Sequence, residues 1–301
     1  MRVNPDYVTN LVSSLNQVTA NEQTLTEELS TGVTVNSLSD NPAAAGENVL
    51  LSTQLNADVT FSQTASSTES LLQVGDSALG NVITQLTSAI SLATEANNGT
   101  LNTSNEQSIA TQLTGIRDEV MSLANSSYMG QYIFAGSQGS TAPFSIDTTT
   151  TPATVTYNGD DDVSYVQTPT GQQIQTNLPG DQIFTAAGAN NVLGTLNNLI
   201  ADFSSGTPSA SSVTDLTSLN IALNYVSQQR VILDDSITRL TAAGNYNTSE
   251  STQLQSAQDS LIQTNTAQVA SQLSSSETQQ SALTQVIAAI DQQGTLFNDL
   301  Q

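Results

Sequence analysis

The chain contains no cysteine, no histidine, no tryptophan and no lysine. Without cysteine there is no disulfide and no thiolate metal site, and without histidine the commonest metal ligand and general base is missing. Positive charge is nearly absent as well. Four arginines (Arg2, Arg117, Arg230 and Arg239) stand against 27 acidic residues, for a net charge of −23. Such a field repels phosphate backbones and anionic lipid headgroups, so nucleic acid is excluded as a partner. Aromatic residues make up 4% of the 301 residues, so a core must be built from Leu, Ile, Val and Ala. No apolar run approaches the roughly 20 residues of a membrane-spanning helix, and no membrane insertion is expected. The N-terminal stretch lacks the basic start, apolar core and cleavage site of a secretory signal. By that criterion alone the chain reads as cytosolic, although some export routes use uncleaved N-termini.

The same gaps bear on chemistry. Serine and threonine are abundant, yet without His, Lys or Cys the only base available to a hydroxyl nucleophile is a carboxylate. No catalytic, cofactor-binding or metal site is expected. Asp160-Asp161-Asp162 lacks the spaced Asp-x-Asp-x-Asp-Gly loop that wraps Ca²⁺ and reads as a solvated turn. Gly136-Ser137-Gln138-Gly139 has no lysine after it and leads into a proline-rich stretch, so it is no phosphate loop. The Asn-x-Ser/Thr sequences at Asn98, Asn102, Asn125 and Asn247 are expected by chance in so hydroxyl-rich a chain.

What the sequence does have is heptad periodicity at both ends. From Ser251 to Gln301 one row runs Ile262, Val269, Ser276, Leu283, Ile290, Phe297, and its companion runs Thr266, Leu273, Gln280, Ile287, Gly294. These are a and d positions, the repeat that puts one narrow apolar seam along a helix and drives it against a partner. No proline follows Pro208, so a continuous rod of roughly 70 Å is predicted. A matching heptad runs from Tyr7 to Thr31 through Val8, Leu11, Leu15, Val18, Glu22, Leu25 and Leu29, with Glu22 its one polar interruption.

Between the rods, Ser37-Leu-Ser-Asp-Asn-Pro42 reads as a turn and cap with proline opening the next helix. Helical stripes follow at Leu72, Leu79, Leu86, Ala93 and at Ile109, Leu113, Ile116, Val120, Leu123, separated by Asn97-Asn98-Gly99. Prolines and glycines then cluster from Gly136 to Gly180, around alternating runs at Ala153–Tyr157 and Val163–Val166 that favour β-strands. Helical spacing returns at Val192, Leu196, Leu199, Ile200, Phe203. It then runs along a long seam through Leu216, Leu219, Leu223, Val226, Arg230, Leu233, Ile237 and Leu240, with a break predicted at Gly244–Asn247. Arg230 in that seam is expected to pack by its stem and pair with a nearby acid. The fold class is therefore mainly α with a small inserted β domain, both chain ends forming a long antiparallel helical bundle or coiled coil. Periodicity alone leaves open whether the rods form an internal hairpin of a monomer or a coil completed by neighbours.

Several phrases carry a family resemblance. Leu29-Ser-Thr-Gly-Val-Thr-Val-Asn-Ser-Leu-Ser-Asp-Asn-Pro-Ala-Ala-Ala45 resembles the segment after the first helix in the bacterial flagellin superfamily. Pro42, Gly130-Gln-Tyr-Ile-Phe-Ala-Gly136 with Ala142-Pro-Phe144, Tyr157-Asn-Gly-Asp160, Asn177-Leu-Pro-Gly-Asp-Gln-Ile-Phe184 and the closing Leu296-Phe297 are similar to its hook–filament junction proteins. Val33-Thr34 replaces the basic pair usual in the turn, and Asn41 the second acid of its Ser-Asp-Asp-Pro phrase.

The resemblance implies a non-enzymatic structural subunit in three parts. These are a terminal axial coil (1–45 with 251–301), a helical core domain (46–135 with 186–250) and an outer β domain (136–185). It implies type III export with a chaperone, secretion, and a place at the hook–filament junction of the extracellular flagellum. The partners would be further copies of itself in a ring, hook-associated protein 1 and flagellin. Val8, Leu11, Leu15, Val18, Leu25, Leu29, Ile262, Val269, Leu273, Leu283, Ile287, Ile290 and Phe297 would then be the assembly interface. The rival readings are a flagellin filament subunit, opposed by Pro42 and the Tyr132–Gly136 phrase, and an acidic secreted adhesin.

Overall fold

A computed structural model of the chain describes residues 5–99, 101–206 and 210–298. In order, the elements are α1 (Pro5–Thr31), α2 (Pro42–Asn97), α3 (Thr103–Ala124), β1 (Ser127–Tyr128), β2 (Gln131–Tyr132), β3 (Phe144–Asp147), β4 (Thr154–Tyr157), β5 (Tyr165–Gln167), β6 (Gln173–Gln175), α4 (Gly180–Phe184), α5 (Val192–Ser204), α6 (Ala210–Ile262) and α7 (Thr266–Asn298). The six strands form three antiparallel hairpins, β1–β2, β3–β4 and β5–β6. The fold is mainly α with a small β insertion, as the sequence predicts.

The chain divides into two compact units, Met1–Ala57 with Glu250–Gln301 and Asp58–Ser249. Many hydroxyls in the long helices bond back to the carbonyl four residues earlier, so these Ser and Thr side chains are satisfied within the helix. In α2, Thr53 donates to the Val49 carbonyl (2.8 Å), Thr64 to Thr60 (2.9 Å) and Thr94 to Ile90 (2.7 Å).

In the second unit α2 and α6 run antiparallel, and four polar rungs fix their pairing. Ser212 donates to Asn97 Oδ1 (2.6 Å), Arg230 to Asp76 (2.6 and 3.0 Å), Thr241 to Glu69 (3.2 Å) and Asn247 to the Asp58 carbonyl (2.9 Å). Between the rungs the predicted stripes are buried: Leu72, Leu79, Leu86 and Ala93 from α2, and Leu219, Val226, Leu233 and Leu240 from α6. Ile109, Leu113 and Val120 of α3 join Val192, Leu196, Leu199 and Phe203 of α5 in the same core. Asn191 caps α5 by accepting from the Gly194 N–H (2.8 Å).

The β insertion contributes to this core through Phe144 and Ile174. In its aromatic centre Phe184 meets both Phe134 and Phe144 edge-to-face at 5.4 Å, and Tyr157 lies tilted against Phe144 at 5.1 Å. The Asn125 side chain both donates to and accepts from the Phe144 backbone (3.0 and 2.9 Å), tying β3 to the end of α3.

Two expected boundaries are corrected. The predicted break at Gly244–Asn247 does not occur, and α6 continues to Ile262. Asn247 is buried there and its amide is used on Asp58, so a residue that marks turns in isolation is held in helix by tertiary contact. The C-terminal rod is not continuous: Gln263–Asn265 separate α6 from α7. Asn265 caps α7 by accepting from the Gln268 N–H (3.2 Å), and the freed backbone of Ile262 and Thr264 bonds to a second segment described below. The rod is thus a helix of 33 residues, about 50 Å long at 1.5 Å per residue.

Candidate functional site

Within the first unit α1 and α7 pack along each other in antiparallel sense, and the heptad seam is the face they share. The contact is incomplete. Val8, Leu11, Leu15, Val18 and Leu25 on α1 are half-buried, as are Leu273, Leu283, Ile287 and Ile290 on α7. Ile262, at the end of α6, is half-buried too, and Val269 alone is buried, at 5% exposure. Leu29 is 39% exposed, and the half-buried position beside it is Glu28. Phe297 lies outside the residues whose side chains are described. In a well-packed two-helix seam each a or d side chain inserts between four residues of the facing helix, and here most of them keep part of their surface open to solvent. Residues between seam positions, such as Thr284, Gln285 and Ala288, are exposed.

Besides the half-buried Ser276, two polar features interrupt the aliphatic run. Near the middle, the Gln280 amide donates to Glu22 Oε2 (2.8 Å) and Thr19 Oγ1 (3.3 Å). At the end of α1, Thr34 donates its N–H to the Ile262 carbonyl (2.7 Å) and Thr264 donates to the Gly32 carbonyl (3.0 Å). The break between α1 and α2 and the break between α6 and α7 therefore satisfy each other's backbone.

The turn that follows is built by its own carboxylate. Asp40 accepts from the Ser37 hydroxyl (2.8 Å) and from the Ser37 and Asn36 N–H groups (2.8 and 3.1 Å). The Ser37 hydroxyl, then its N–H, hold the Asp40 carboxyl below the ordinary carboxylate range. Asn41 caps α2 by accepting from the Ala44 N–H (3.1 Å), so an amide fills the position without loss of the cap.

Arg117, Arg230 and Arg239 all lie in the second unit, so the described part of the first carries carboxylates and no cation. Arg230 is held by Asp76, as expected for a seam arginine, and the buried Arg117 by Asp118 (2.7 Å) and Asn197 (3.3 Å). Asp160 accepts from the backbone N–H groups of Ser137 (2.6 Å) and Asp162 (3.3 Å), spending its oxygens locally. Among the described residues no His/Cys/Asp/Glu cluster could hold a metal, and no helix is long and apolar enough to cross a membrane.

The heptad reading located the seam residues but not what joins them. Glu22 and Gln280 were visible as separate polar positions in two rods, and a pair of interruptions in antiparallel seams is the signal that they meet. The backbone clamp at Gly32 and Thr264 had no signal beyond a hydroxyl- and amide-rich Thr264-Asn265-Thr266.

Residues 7–139 match the family of bacterial flagellin N-terminal helical regions. The flagellar hook-associated protein 3 of Salmonella typhimurium is 34% identical over 169 residues, covering 56% of this chain and 51% of that protein. The protein of the same name from Escherichia coli is 38% identical over 122 residues, covering 40% and 38%. The chain thus spans about half or less of the length of the curated relatives it matches. Two solved structures from Legionella pneumophila share the fold. Flagellar hook-associated protein 3 has a TM-score of 0.62 at 13% identity, covering 70% of this chain and 98% of that one. The flagellar junction protein FlgL has a TM-score of 0.56 at 14% identity, covering 72% and 99%. These likenesses bear out the resemblance read from the sequence.

Proposed function

We propose, from a chain whose residues 7–139 match the bacterial flagellin N-terminal helical region, that this is a structural subunit of the hook–filament junction of the flagellum. The observation that carries the reading is the half-covered seam of α1 and α7. An aliphatic stripe left partly wet in one copy is completed by helices of neighbouring copies and of the adjoining axial proteins, hook-associated protein 1 and flagellin. Each half-buried Leu or Ile so enclosed contributes on the order of 1 kcal/mol, and a ring sums many of them. The division into an axial coil (1–45 with 251–301), a helical domain (46–135 with 186–250) and a β domain (136–185) belongs to the same proposal. Secretion by the flagellar type III route, with a chaperone covering the apolar seam before assembly, is part of the same proposal. The role is non-enzymatic.

Deleting the chain in its source bacterium tests this. Hooks are expected to complete while flagellin monomers accumulate in the medium, and labelled chain restored in trans is expected only at the hook tip. Label along the filament would make it a filament subunit instead. Label over the cell body would make it an adhesin.

A further inference from the structure

We propose that Glu22, Gln280 and Thr19 act as a register pin for the α1–α7 pair, choosing one alignment among several that the aliphatic seam would accept. The argument concerns the first unit alone and does not depend on the flagellar role. On one side of the triad lie Val8, Leu11, Leu15 and Val18 with Leu283, Ile287 and Ile290. On the other lie Leu25 with Leu273 and Val269. These are aliphatic at heptad spacing, with Ser276 the one further half-buried polar position on α7, so beyond the clamp a seven-residue slide again sets aliphatic against aliphatic side chains at most seam positions. The triad does not tolerate the slide. One heptad away, Glu22 faces Leu273 or Ile287, and its Oε2 loses the Gln280 amide that now sits 2.8 Å away.

The triad is a poor device for stability. Glu22 Oε1 is shielded from solvent and has no partner, and a shielded carboxylate oxygen without a donor is costly. Leucine at both positions would cover more apolar surface at no such cost. A polar pair that costs stability while forbidding the nearest competing alignments is how single polar seam positions specify coiled-coil register. The backbone clamp at Gly32 and Thr264 holds the near end through two bonds. The triad sets the halves beyond it, Val8 to Val18 on α1 and Leu283 to Ile290 on α7.

The chain has no cysteine, so introduced pairs report alignment without background. The native reporter is Leu15→Cys with Ile287→Cys, each seven residues beyond the triad. The slipped reporter is Val8→Cys with Ile287→Cys, which closes only after a one-heptad shift. In the otherwise unaltered full chain, mild oxidation is expected to close the first pair and not the second, read as intramolecular cross-link on the monomer. Adding Glu22→Leu with Gln280→Leu is expected to preserve the helical circular dichroism and to raise closure of the slipped pair at least fivefold. Glu22→Gln alone, with Gln280 unaltered, keeps an acceptor for the Gln280 amide and is expected to retain the native pattern. Unchanged closure in the Leu/Leu background overturns the proposal and leaves the clamp as the sole register element. Should the Leu/Leu variant lose helix, Gln280→Met, equal in length without the amide, decides by the same two readings.

Discussion

Arg230 grips Asp76 with two parallel bonds, Nε to Oδ1 at 2.6 Å and Nη2 to Oδ2 at 3.0 Å, across the α2–α6 pair of the second unit. The fork geometry orders both side chains, yet they remain 39% and 21% exposed, so water screens the pair. Asp76→Asn is expected to cost about 1 kcal/mol. The thermal midpoint should fall by about 2–4 °C, measured by circular dichroism at low salt, with a smaller fall at high salt. No salt dependence would mean that the arginine stem, not its charge, holds the helices.

The glycines of the family phrases have steric reasons. Gly136 adopts φ +67°, and a Cβ there would fall 2.1 Å from Asp160 Oδ1 and 2.2 Å from its carbonyl oxygen. At Gly180 a Cβ would meet the Phe134 carbonyl at 2.7 Å and the Phe144 ring at 2.8 Å. Gly136→Ala and Gly180→Ala are each expected to cost about 3 kcal/mol, lowering the midpoint by roughly 6–12 °C. Gly115, inside α3 with open space around it, is the control. Gly115→Ala should stabilise by about 0.5–1 kcal/mol.

Tyr157 provides a pH signature. Its hydroxyl shares its one proton between the carbonyls of Phe134 (3.0 Å) and Asp160 (2.8 Å), and burial first, then the charges of Asp181, Asp160 and Asp161, push its pKa from 10.0 up to about 12. Folding thus favours the neutral phenol. Its contribution is complete below pH 10.0 and is lost as pH rises toward about 12. Tyr157→Phe is expected to cost about 1–2 kcal/mol at neutral pH. The difference in midpoint between wild type and variant should shrink over that alkaline window. A constant difference would show that the hydroxyl titrates without regard to folding.

Legibility followed geometry. Heptad spacing is the projection of a helix face onto sequence, so Val8 through Leu25 and Val269 through Ile290 were found position by position. Leu29 fell off the seam because α1 ends within one turn of it, at Thr31. The Ser37–Pro42 turn was legible because Asp40 and Asn41 build it locally. Events settled by distant partners were not. Asn247 stays helical because Asp58 takes its amide, and the α6–α7 break exists because Gly32 and Thr34 accept and donate there. The Glu22–Gln280 contact spans 258 residues of chain, and only the fold brings the two together.

The sharpest test of the assembly seam is Ile290→Asp. In the monomer Ile290 is half-buried beside a single partner helix, so a carboxylate there can turn toward water. The thermal midpoint, set mainly by the extensive core of the second unit, is expected to move by less than about 2 °C. In the ring proposed above the same carboxylate would be enclosed by neighbouring helices, with no described cation in the first unit to pair with it. A buried unpaired charge costs several kcal/mol per subunit, enough to abolish junction formation and release flagellin to the medium. Gln285→Asp adds the same charge at an exposed position on the same helix and is expected to assemble normally. If Ile290→Asp unfolds the monomer, α1 and α7 form a closed hairpin complete in itself, and the seam is core rather than interface. If both variants fail to assemble, added negative charge on an already acidic surface is responsible, and the seam residue carries no special weight.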